Sequence, residues 1–177
     1  MKSISEMSME ELAAYVCSKL GEEDIDTVLS GGSCVQIYSR GKYTSDDIDL
    51  IDRFNGGHTL IKKVMLDMGF KEYNRYFVHD ETEWFIEFPR GPLGVGDAPV
   101  DTIATLEEST GILKLLTATD CIKDRLAAYY HWDDPQSLEQ AVWVAEKNVF
   151  DMSSIEKWSE KENMMDKFDD FKKRVVE

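Results

Sequence analysis

The sequence has few cysteines, and those it has stand far apart. Only three occur among 177 residues, Cys17, Cys34 and Cys121. An odd number of distant cysteines does not form a disulfide framework, and it does not supply the paired Cys/His spacing of a zinc site. We therefore expect these cysteines to be small, buried side chains that stay reduced.

Long hydrophobic runs are also missing. No apolar run approaches the ~20 residues that a membrane-spanning helix needs, and the first residues have neither the basic start nor the apolar stretch of a signal peptide. The composition, 42% hydrophobic and 31% charged, is typical of a globular protein. The sequence therefore predicts a single domain over 1–177, without a membrane segment and located in the cytoplasm.

Basic residues are scarce. The chain has 20 lysines and arginines against 35 aspartates and glutamates, which gives a formal net charge of −15. Broad, non-specific nucleic-acid binding needs a basic field that displaces counterions from phosphates, so this charge argues against it. A local basic strip stays open, and so does a phosphate ligand bridged by Mg²⁺, which clustered carboxylates bind.

The part of the chain from 1 to 116 predicts a mixed α/β core. Its first helix begins with the capping box Ser8-x-x-Glu11 and ends at Gly21. Apolar residues at helical spacing predict helices over 8–20, 33–40 and 58–68. Apolar and aromatic segments predict strands over 26–30, 48–52, 70–73, 76–79, 83–88 and 112–116. Residues 89–99, dense in glycine and proline, predict a loop.

The remaining part, 117–177, predicts helices only. One helix is expected over 121–132, and a second over 135–148 with Asp134 as its N-cap and Pro135 in its first turn. A third opens with the capping box Ser153-x-x-Glu156 and carries an apolar stripe as far as Val175. The predicted fold class is α+β: a mixed β-sheet core flanked by helices, followed by a C-terminal helical segment.

Two glycines and a serine, Gly31-Gly32-Ser33, stand between a predicted strand and a predicted helix. Glycines let the backbone come close to a ligand because no Cβ intervenes. The start of the helix presents unpaired N–H groups and a partial positive charge, which suit a phosphate, and Ser33 adds a hydroxyl. The segment predicts a phosphate-binding turn, although a plain strand-to-helix connection has the same composition.

Asp47 and Asp49 are two residues apart on a predicted strand. Their side chains point to one face of the sheet while Ile48 points to the other. Such a pair can hold one or two Mg²⁺ ions that bridge the phosphates of a nucleoside triphosphate and activate an attacking hydroxyl. A third carboxylate is needed from a neighbouring strand. Glu87 is our candidate, because it lies among apolar residues where an unpaired charge is costly. Glu83 is the weaker choice.

Together, Gly31-Gly32-Ser33 and Ser45-Asp46-Asp47-Ile48-Asp49-Leu50 resemble the signature of the DNA polymerase β-type nucleotidyltransferase superfamily. The nearer resemblance is to the minimal nucleotidyltransferases and the AbiEii-type toxin proteins of toxin–antitoxin systems. Residues 120–128, Asp-Cys-Ile-Lys-Asp-Arg-Leu-Ala-Ala, look like the helix that follows the sheet in that group, where a basic residue faces the nucleotide. The motif covers about twenty residues, and the looser likeness extends over 26–145.

The resemblance implies a palm-like mixed sheet and Mg²⁺-dependent transfer of a nucleoside monophosphate from a nucleoside triphosphate. It assigns catalysis and metal binding to Asp47, Asp49 and Glu87. The residues that we assign to nucleotide binding on the same grounds are Gly31, Gly32, Ser33, Lys123 and Arg125. The acceptor stays open among a protein, an RNA end and a small molecule. A toxin-like role would imply a cognate antitoxin protein as partner.

The cations near these motifs also have an ordinary interpretation. Lys123 and Arg125 resemble surface residues that pair with nearby aspartates. Arg40 and Lys42, between the diglycine and the aspartate pair, lie where they can touch a phosphate, but cations in loops are common.

The chain departs from the AbiEii-type pattern after the 120–128 segment. A further basic and acidic set is expected one to two turns later, and those positions fall near Gln136, Ser137 and Gln140, which carry no charge. Two other hypotheses therefore stay open. One is a nucleotidyltransferase fold without turnover that acts as a binding or regulatory module. The other is an acidic structural protein whose aspartates are only solvated.

Overall fold

The computed structural model describes residues 2–176. A short 3-10 helix, Ile4–Glu6, precedes the main elements. The α-helices are α1 (Met9–Gly21), α2 (Gly31–Tyr38), α3 (His58–Asp67), α4 (Ala118–Trp132), α5 (Pro135–Lys147), α6 (Met152–Lys161) and α7 (Met165–Val176). The strands are β1 (Thr27–Ser30), β2 (Asp47–Asp52), β3 (Lys71–Tyr73), β4 (Tyr76–Val78), β5 (Phe85–Glu87), β6 (Gly94–Val95), β7 (Ala98–Pro99), β8 (Ile103–Glu108) and β9 (Gly111–Leu116).

Seven of the strands form one mixed sheet in the order β3-β4-β5-β2-β1-β9-β8, and β6 and β7 form a separate two-stranded ribbon. β1 is antiparallel to β2 and parallel to β9, whereas β2 is parallel to β5. The outer pairs β3–β4, β4–β5 and β8–β9 are antiparallel. The predicted α+β class, with a mixed sheet and a C-terminal helical segment, is confirmed.

The two faces of the sheet carry different chemistry. On the first face, Thr27 of β1 donates a hydrogen bond to Cys17 of α1 (3.3 Å) and is the register partner of Asp52. Because side chains alternate along a strand, Ile48 and Leu50 point to this face as well, and both are fully buried. The second face therefore receives Asp47 and Asp49, and α2 packs over β1 and β2.

Helix caps confirm two boundaries that the sequence predicts. The Ser8 hydroxyl accepts from the Glu11 amide (3.2 Å), and the Glu11 carboxylate accepts from the Ser8 amide (2.9 Å), which is the predicted capping box of α1. Asp134 caps α5 by accepting from the Gln136 amide (3.0 Å), with Pro135 in the first turn.

Several elements differ from the prediction. Helix α2 begins at Gly31 rather than Ser33, so the diglycine is its first turn instead of a turn before it. Strand β8 was not predicted, because it ends in two glutamates, Glu107 and Glu108, which weaken the strand signal. The last helical segment is two helices rather than one: α6 takes Asp151 as its N-cap instead of Ser153, and Asn163, with φ 58°, interrupts the chain before α7.

The three cysteines are buried and unpaired, as expected. Over the described residues, no helix combines the length and the apolar character that crossing a membrane requires.

Candidate active site

Strand β2 presents two carboxylates on one face of the sheet. Along the strand the side chains alternate between half-buried and buried: Asp47 and Asp49 are half-buried, whereas Ile48 and Leu50 are fully buried. The apolar residues anchor the strand in the core, and this fixes the direction in which the aspartates point. The predicted placement of both aspartates on one face is confirmed.

The third carboxylate comes from β5, which runs parallel to β2. The register pairs Asp47 with Phe85, Ile48 with Ile86 and Asp49 with Glu87. Oxygen atoms of Asp47, Asp49 and Glu87 all lie within 4.8 Å of one another. Glu83, the weaker candidate, is exposed and precedes the strand. Three carboxylates at this spacing form a set of hard oxygen donors, which suits a divalent cation such as Mg²⁺.

The diglycine lies directly against this cluster. Ser30, the residue before it, is the register partner of Asp49. Gly31 has a left-handed φ of +64°, and a Cβ at this position would overlap Oδ2 of Asp49. A Cβ at Gly32 would lie 2.9 Å from the hydroxyl oxygen of Ser45. Glycine is therefore required at position 31 both for the backbone conformation and for the close approach to a carboxylate.

Two serines near the cluster make hydrogen bonds of different kinds. The Ser45 hydroxyl lies 3.0 Å from both the carbonyl oxygen and Oδ1 of Asp47, to which it donates. Ser45 belongs to the motif, but the motif alone offers no reason to assign it this role. Ser33 is fully buried, and its hydroxyl donates to the carbonyl oxygen of Ser30 (3.3 Å). The Ser33 hydroxyl therefore already has a hydrogen-bond partner inside the fold.

The cluster is short of positive charge. Burial, together with the neighbouring charges of Asp47 and Glu87, raises the pKa of the Asp49 carboxyl to about 7, while Arg125 opposes the shift. A half-buried carboxyl with this pKa is held among like charges without enough compensation. A divalent cation bound by the three carboxylates would supply the missing positive charge, so the donor set fits a metal ion.

The two cations assigned to nucleotide binding point in different directions. Arg125 on α4 lies close enough to Asp49 to affect its pKa, and it donates to Asp124 (2.6 Å) and to Gln140 of α5 (3.4 Å). The Lys123 ammonium instead donates to Ser154 of α6 (3.0 Å) and lies 3.4 Å from Asp120. The structure therefore brings Arg125, but not Lys123, to the carboxylate cluster.

Lys42 donates to Glu146 of α5 (3.1 Å), and Arg40 is exposed. Gln140 is buried and accepts the hydrogen bond from Arg125. Arg125 thus has a neutral partner on α5 in one of the places where the AbiEii-type pattern carries charge.

Arg75 is a cation close to the cluster that the sequence motifs do not indicate. It lies in the turn between β3 and β4, and its Nε is 3.5 Å from Oε1 of Glu87. Its guanidinium also stacks over the ring of Tyr76, with 4.9 Å from Cζ to the centroid. Its position in a tight turn between two strands was visible in the sequence. The pairing of β4 with β5, which brings the turn to Glu87, was not.

A separate groove of about 470 Å³ involves Asp52, His58 and Glu72. Its acidic groups already have partners: Asp52 accepts from the Gly56 amide (2.6 Å), and Glu72 lies 2.7 Å from Nε2 of His58. Asp52 also points to the first face of the sheet, away from the carboxylate cluster. The groove is therefore a less suitable place for chemistry than the cluster.

The α+β fold with its mixed sheet is similar to that of solved nucleotidyltransferase structures. The chain is similar to the solved structure of ANT(2'')-Ia in complex with adenylyl-2''-tobramycin, with a TM-score of 0.51 and 12% identity over 90% of this chain and 94% of that chain. A solution structure of the antibiotic-resistance factor ANT(2'')-Ia matches with a TM-score of 0.44 and 13% identity over 92% and 90%. No protein-family model matches the sequence, and neither does any curated protein. The nearer likeness to AbiEii-type proteins is not confirmed.

Proposed function

We propose that the chain is a Mg²⁺-dependent nucleotidyltransferase that transfers a nucleoside monophosphate from a nucleoside triphosphate to a hydroxyl group of an acceptor. The observation that carries this proposal is the convergence of Asp47, Asp49 and Glu87 within 4.8 Å. They meet beside the diglycine at the start of α2. If the aspartates were only solvated, there would be no reason for three carboxylates from two strands to lie together. There would also be no reason for them to lie against a glycine whose replacement would strain the backbone.

Asp47, Asp49 and Glu87 would hold the metal, and Ser45 would orient Asp47 through its hydrogen bond. Bound Mg²⁺ would neutralise phosphate charge and lower the pKa of the attacking hydroxyl. Gly31 and Gly32 would let the phosphates approach the first N–H groups of α2. Arg125 would add positive charge on the same side of the cluster.

Transfer would proceed by in-line displacement at the α-phosphorus. The acceptor oxygen forms a new ester bond to phosphorus, and the bond from phosphorus to the bridging oxygen breaks, so that pyrophosphate leaves. Glu87 would take the proton of the acceptor hydroxyl or orient that hydroxyl, since it stands on the side of Asp49 opposite the diglycine. These residues would act by positioning and by electrostatic stabilisation.

Among the three acceptor classes, a small molecule with hydroxyl and amino groups has the best support. The formal charge of −15 disfavours RNA and favours a cationic compound. The structure of similar fold, ANT(2'')-Ia, was solved with adenylyl-2''-tobramycin. The toxin-like role with a cognate antitoxin rests on the sequence motif alone. Growth arrest by the wild-type chain but not by Asp47→Asn would favour it.

The test is a thermal-shift titration with ATP, GTP, CTP and UTP, with and without Mg²⁺, together with a pyrophosphate-release assay. At a nucleotide concentration of ~100 times Kd, binding stabilises the fold by about 2.7 kcal/mol. We expect this stabilisation to require Mg²⁺ and to vanish in the double variant Asp47→Asn/Asp49→Asn. The control is Asp46→Asn, because Asp46 is exposed and adjacent to the cluster but not part of it.

The second candidate, a nucleotidyltransferase fold without turnover, is motivated by the buried Ser33 hydroxyl and by the uncharged Gln140. Mg²⁺-dependent nucleotide binding without pyrophosphate release, with every acceptor offered, would favour it. The absence of Mg²⁺-dependent nucleotide binding in the wild type would reject both candidates.

A further inference from the structure

Two aromatic rings extend the carboxylate cluster along the same face of the sheet. Phe85 is the register partner of Asp47, and Tyr76 is the register partner of Glu87. Side chains of cross-strand partners point to the same face, so both rings lie beside the metal-binding carboxylates. Their centroids are 5.8 Å apart, and Phe85 is 44% exposed. We call Tyr76 and Phe85 the aromatic platform.

Arg75 holds the platform in place relative to the cluster. Its guanidinium covers the Tyr76 ring and lies 2.6 Å from the Tyr76 hydroxyl oxygen, to which it donates. The same side chain reaches Glu87, with 3.5 Å from Nε to Oε1. Arg75 is itself largely exposed. The platform is thus tied to a carboxylate of the cluster, while the exposed part of Phe85 remains open for contact.

The order of the strands puts the platform on the acceptor side. One row of register partners crosses the sheet from Ser30 to Asp49, Glu87 and Tyr76. The diglycine lies at the Ser30 and Asp49 end, and α4, which carries Arg125, contacts α2. In the proposed function the triphosphate would bind at this end, where it would meet N–H groups and positive charge. In an in-line displacement the attacking oxygen enters opposite the leaving pyrophosphate. An acceptor would therefore enter from the Glu87 and Tyr76 end.

We propose that the aromatic platform, with Arg75, binds the acceptor and selects a compound with a sugar-like ring that carries hydroxyl and amino groups. The ring would lie on the exposed face of Phe85, with one hydroxyl directed at Glu87. Amino groups would be attracted to the carboxylates beside the platform, Asp47 and Glu87, which are the register partners of its two rings. An RNA end also has bases that stack, but the net charge of −15 repels its phosphates.

This inference rests on the proposed nucleotidyl transfer, and its test keeps the two apart. Binding of two probes, tobramycin and glucosamine, is measured by calorimetric titration of the protein with Mg²⁺ and ATP analogue bound. The affinity for the Mg²⁺–nucleotide complex is measured separately. The variant is Phe85→Leu, and Tyr76→Leu is a second variant. Urea unfolding of each variant checks that the fold is intact.

The chain offers a matched control in Phe54→Leu. Phe54 is 72% exposed and also has an arginine over its ring, with 5.3 Å from Cζ of Arg53 to the centroid. It follows the far end of β2, beyond Asp52. We expect Phe85→Leu and Tyr76→Leu to weaken binding of at least one probe by fivefold or more. Nucleotide affinity should stay within twofold, and Phe54→Leu should change neither.

Four results would overturn the inference. The first is that the wild type binds neither probe, and the second is that the platform variants bind the probes as tightly as the wild type does. The third is that the platform variants lose affinity for the nucleotide rather than for the probes. The fourth is that the wild type binds a short RNA more tightly than either probe. In the third case the rings stack on the nucleobase. Because each of these results leaves Mg²⁺-dependent nucleotide binding by the wild type intact, the proposed transferase function would survive. Loss of that binding would reject the function itself.

Discussion

Gly31 and Asp49 are in such close contact that a side chain at position 31 would occupy the same space as Oδ2 of the aspartate. The first residue of α2 and the central carboxylate of the cluster are therefore fitted to each other. This contact links the backbone conformation at the end of β1 to the position of a carboxylate of the cluster.

Substituting Gly31 tests this link. Gly31→Ala should destabilise the fold by about 1–2 kcal/mol through left-handed strain, and it should also displace the Asp49 carboxylate and abolish Mg²⁺-dependent nucleotide binding. Gly41→Ala is the control, because Gly41 also has a positive φ, +78°, but open space around it. It should lose stability and keep nucleotide binding. Equal nucleotide affinity in the two variants would contradict the fitted contact. The measurements are urea unfolding and nucleotide titration.

The raised pKa of Asp49 predicts how stability depends on pH without divalent ions. The folded-state pKa of about 7 lies above the ordinary 3.8, so ionisation costs folding free energy as pH rises from about 4 to 7. Asp49→Asn removes this cost. We expect this substitution to raise the free energy of unfolding by up to about 4 kcal/mol at pH 8. The figure follows from the rise in the pKa of Asp49 from 3.8 to about 7, because each pKa unit corresponds to 1.36 kcal/mol. The gain should be small at pH 4.

The control for this measurement is the exposed neighbour Asp46, whose replacement by asparagine should give no pH-dependent gain. Mg²⁺ should stabilise the wild type at pH 8 and have little effect on Asp49→Asn. A gain of equal size at pH 4 and pH 8 would show that packing rather than ionisation is responsible.

Arg125 and Lys123 should differ in their effect on nucleotide binding. Arg125→Met removes the positive charge that opposes the raised pKa of Asp49. It should therefore weaken nucleotide binding about tenfold, which corresponds to ~1.4 kcal/mol, and move the stability transition of Asp49 to higher pH. Lys123→Met, on the same helix, removes contacts to Ser154 and Asp120 and should leave nucleotide affinity unchanged. A larger loss for Lys123→Met would reverse our assignment.

Ser45 should support the metal site through Asp47. Ser45→Ala removes the hydrogen bond to Oδ1 of Asp47 and should weaken Mg²⁺ binding about tenfold, the lower end of the usual effect for a residue that orients a metal ligand. Ser159→Ala is the comparison, because Ser159 is also buried and lies 2.8 Å from the Tyr130 hydroxyl, remote from β2. It should lower stability without changing the Mg²⁺ titration. Unchanged Mg²⁺ affinity in Ser45→Ala would remove Ser45 from the site.

Local sequence was sufficient for features that depend on neighbouring residues. The capping box of α1 and the Asp134 cap of α5 follow from side chains that reach backbone groups two or three residues away. The alternation of β2 follows in the same way, because the period of a strand puts Asp47 and Asp49 on one face. The sequence also indicates that Lys123 and Arg125 point in different directions, because side chains two positions apart on a helix differ by about 200° in direction.

Other features depend on contacts between distant segments. Helices α6 and α7 contact each other, and β8 pairs with β9 and contacts α1. Local sequence patterns do not report these contacts. The approach of Arg75 to Glu87 requires the pairing of β4 with β5. The burial of the Ser33 hydroxyl follows from α2 beginning two residues earlier than its sequence suggests.

The sequence by itself determined that this protein has an α+β fold, a glycine-rich helix start and a pair of aspartates facing one way, because each depends on a few adjacent residues. Only the tertiary structure decided that Glu87 completes the cluster and that aromatic rings adjoin it. Both depend on the register of β5 against β2 and β4, which is set by burying Ile48, Ile86 and Phe77 together on the opposite face.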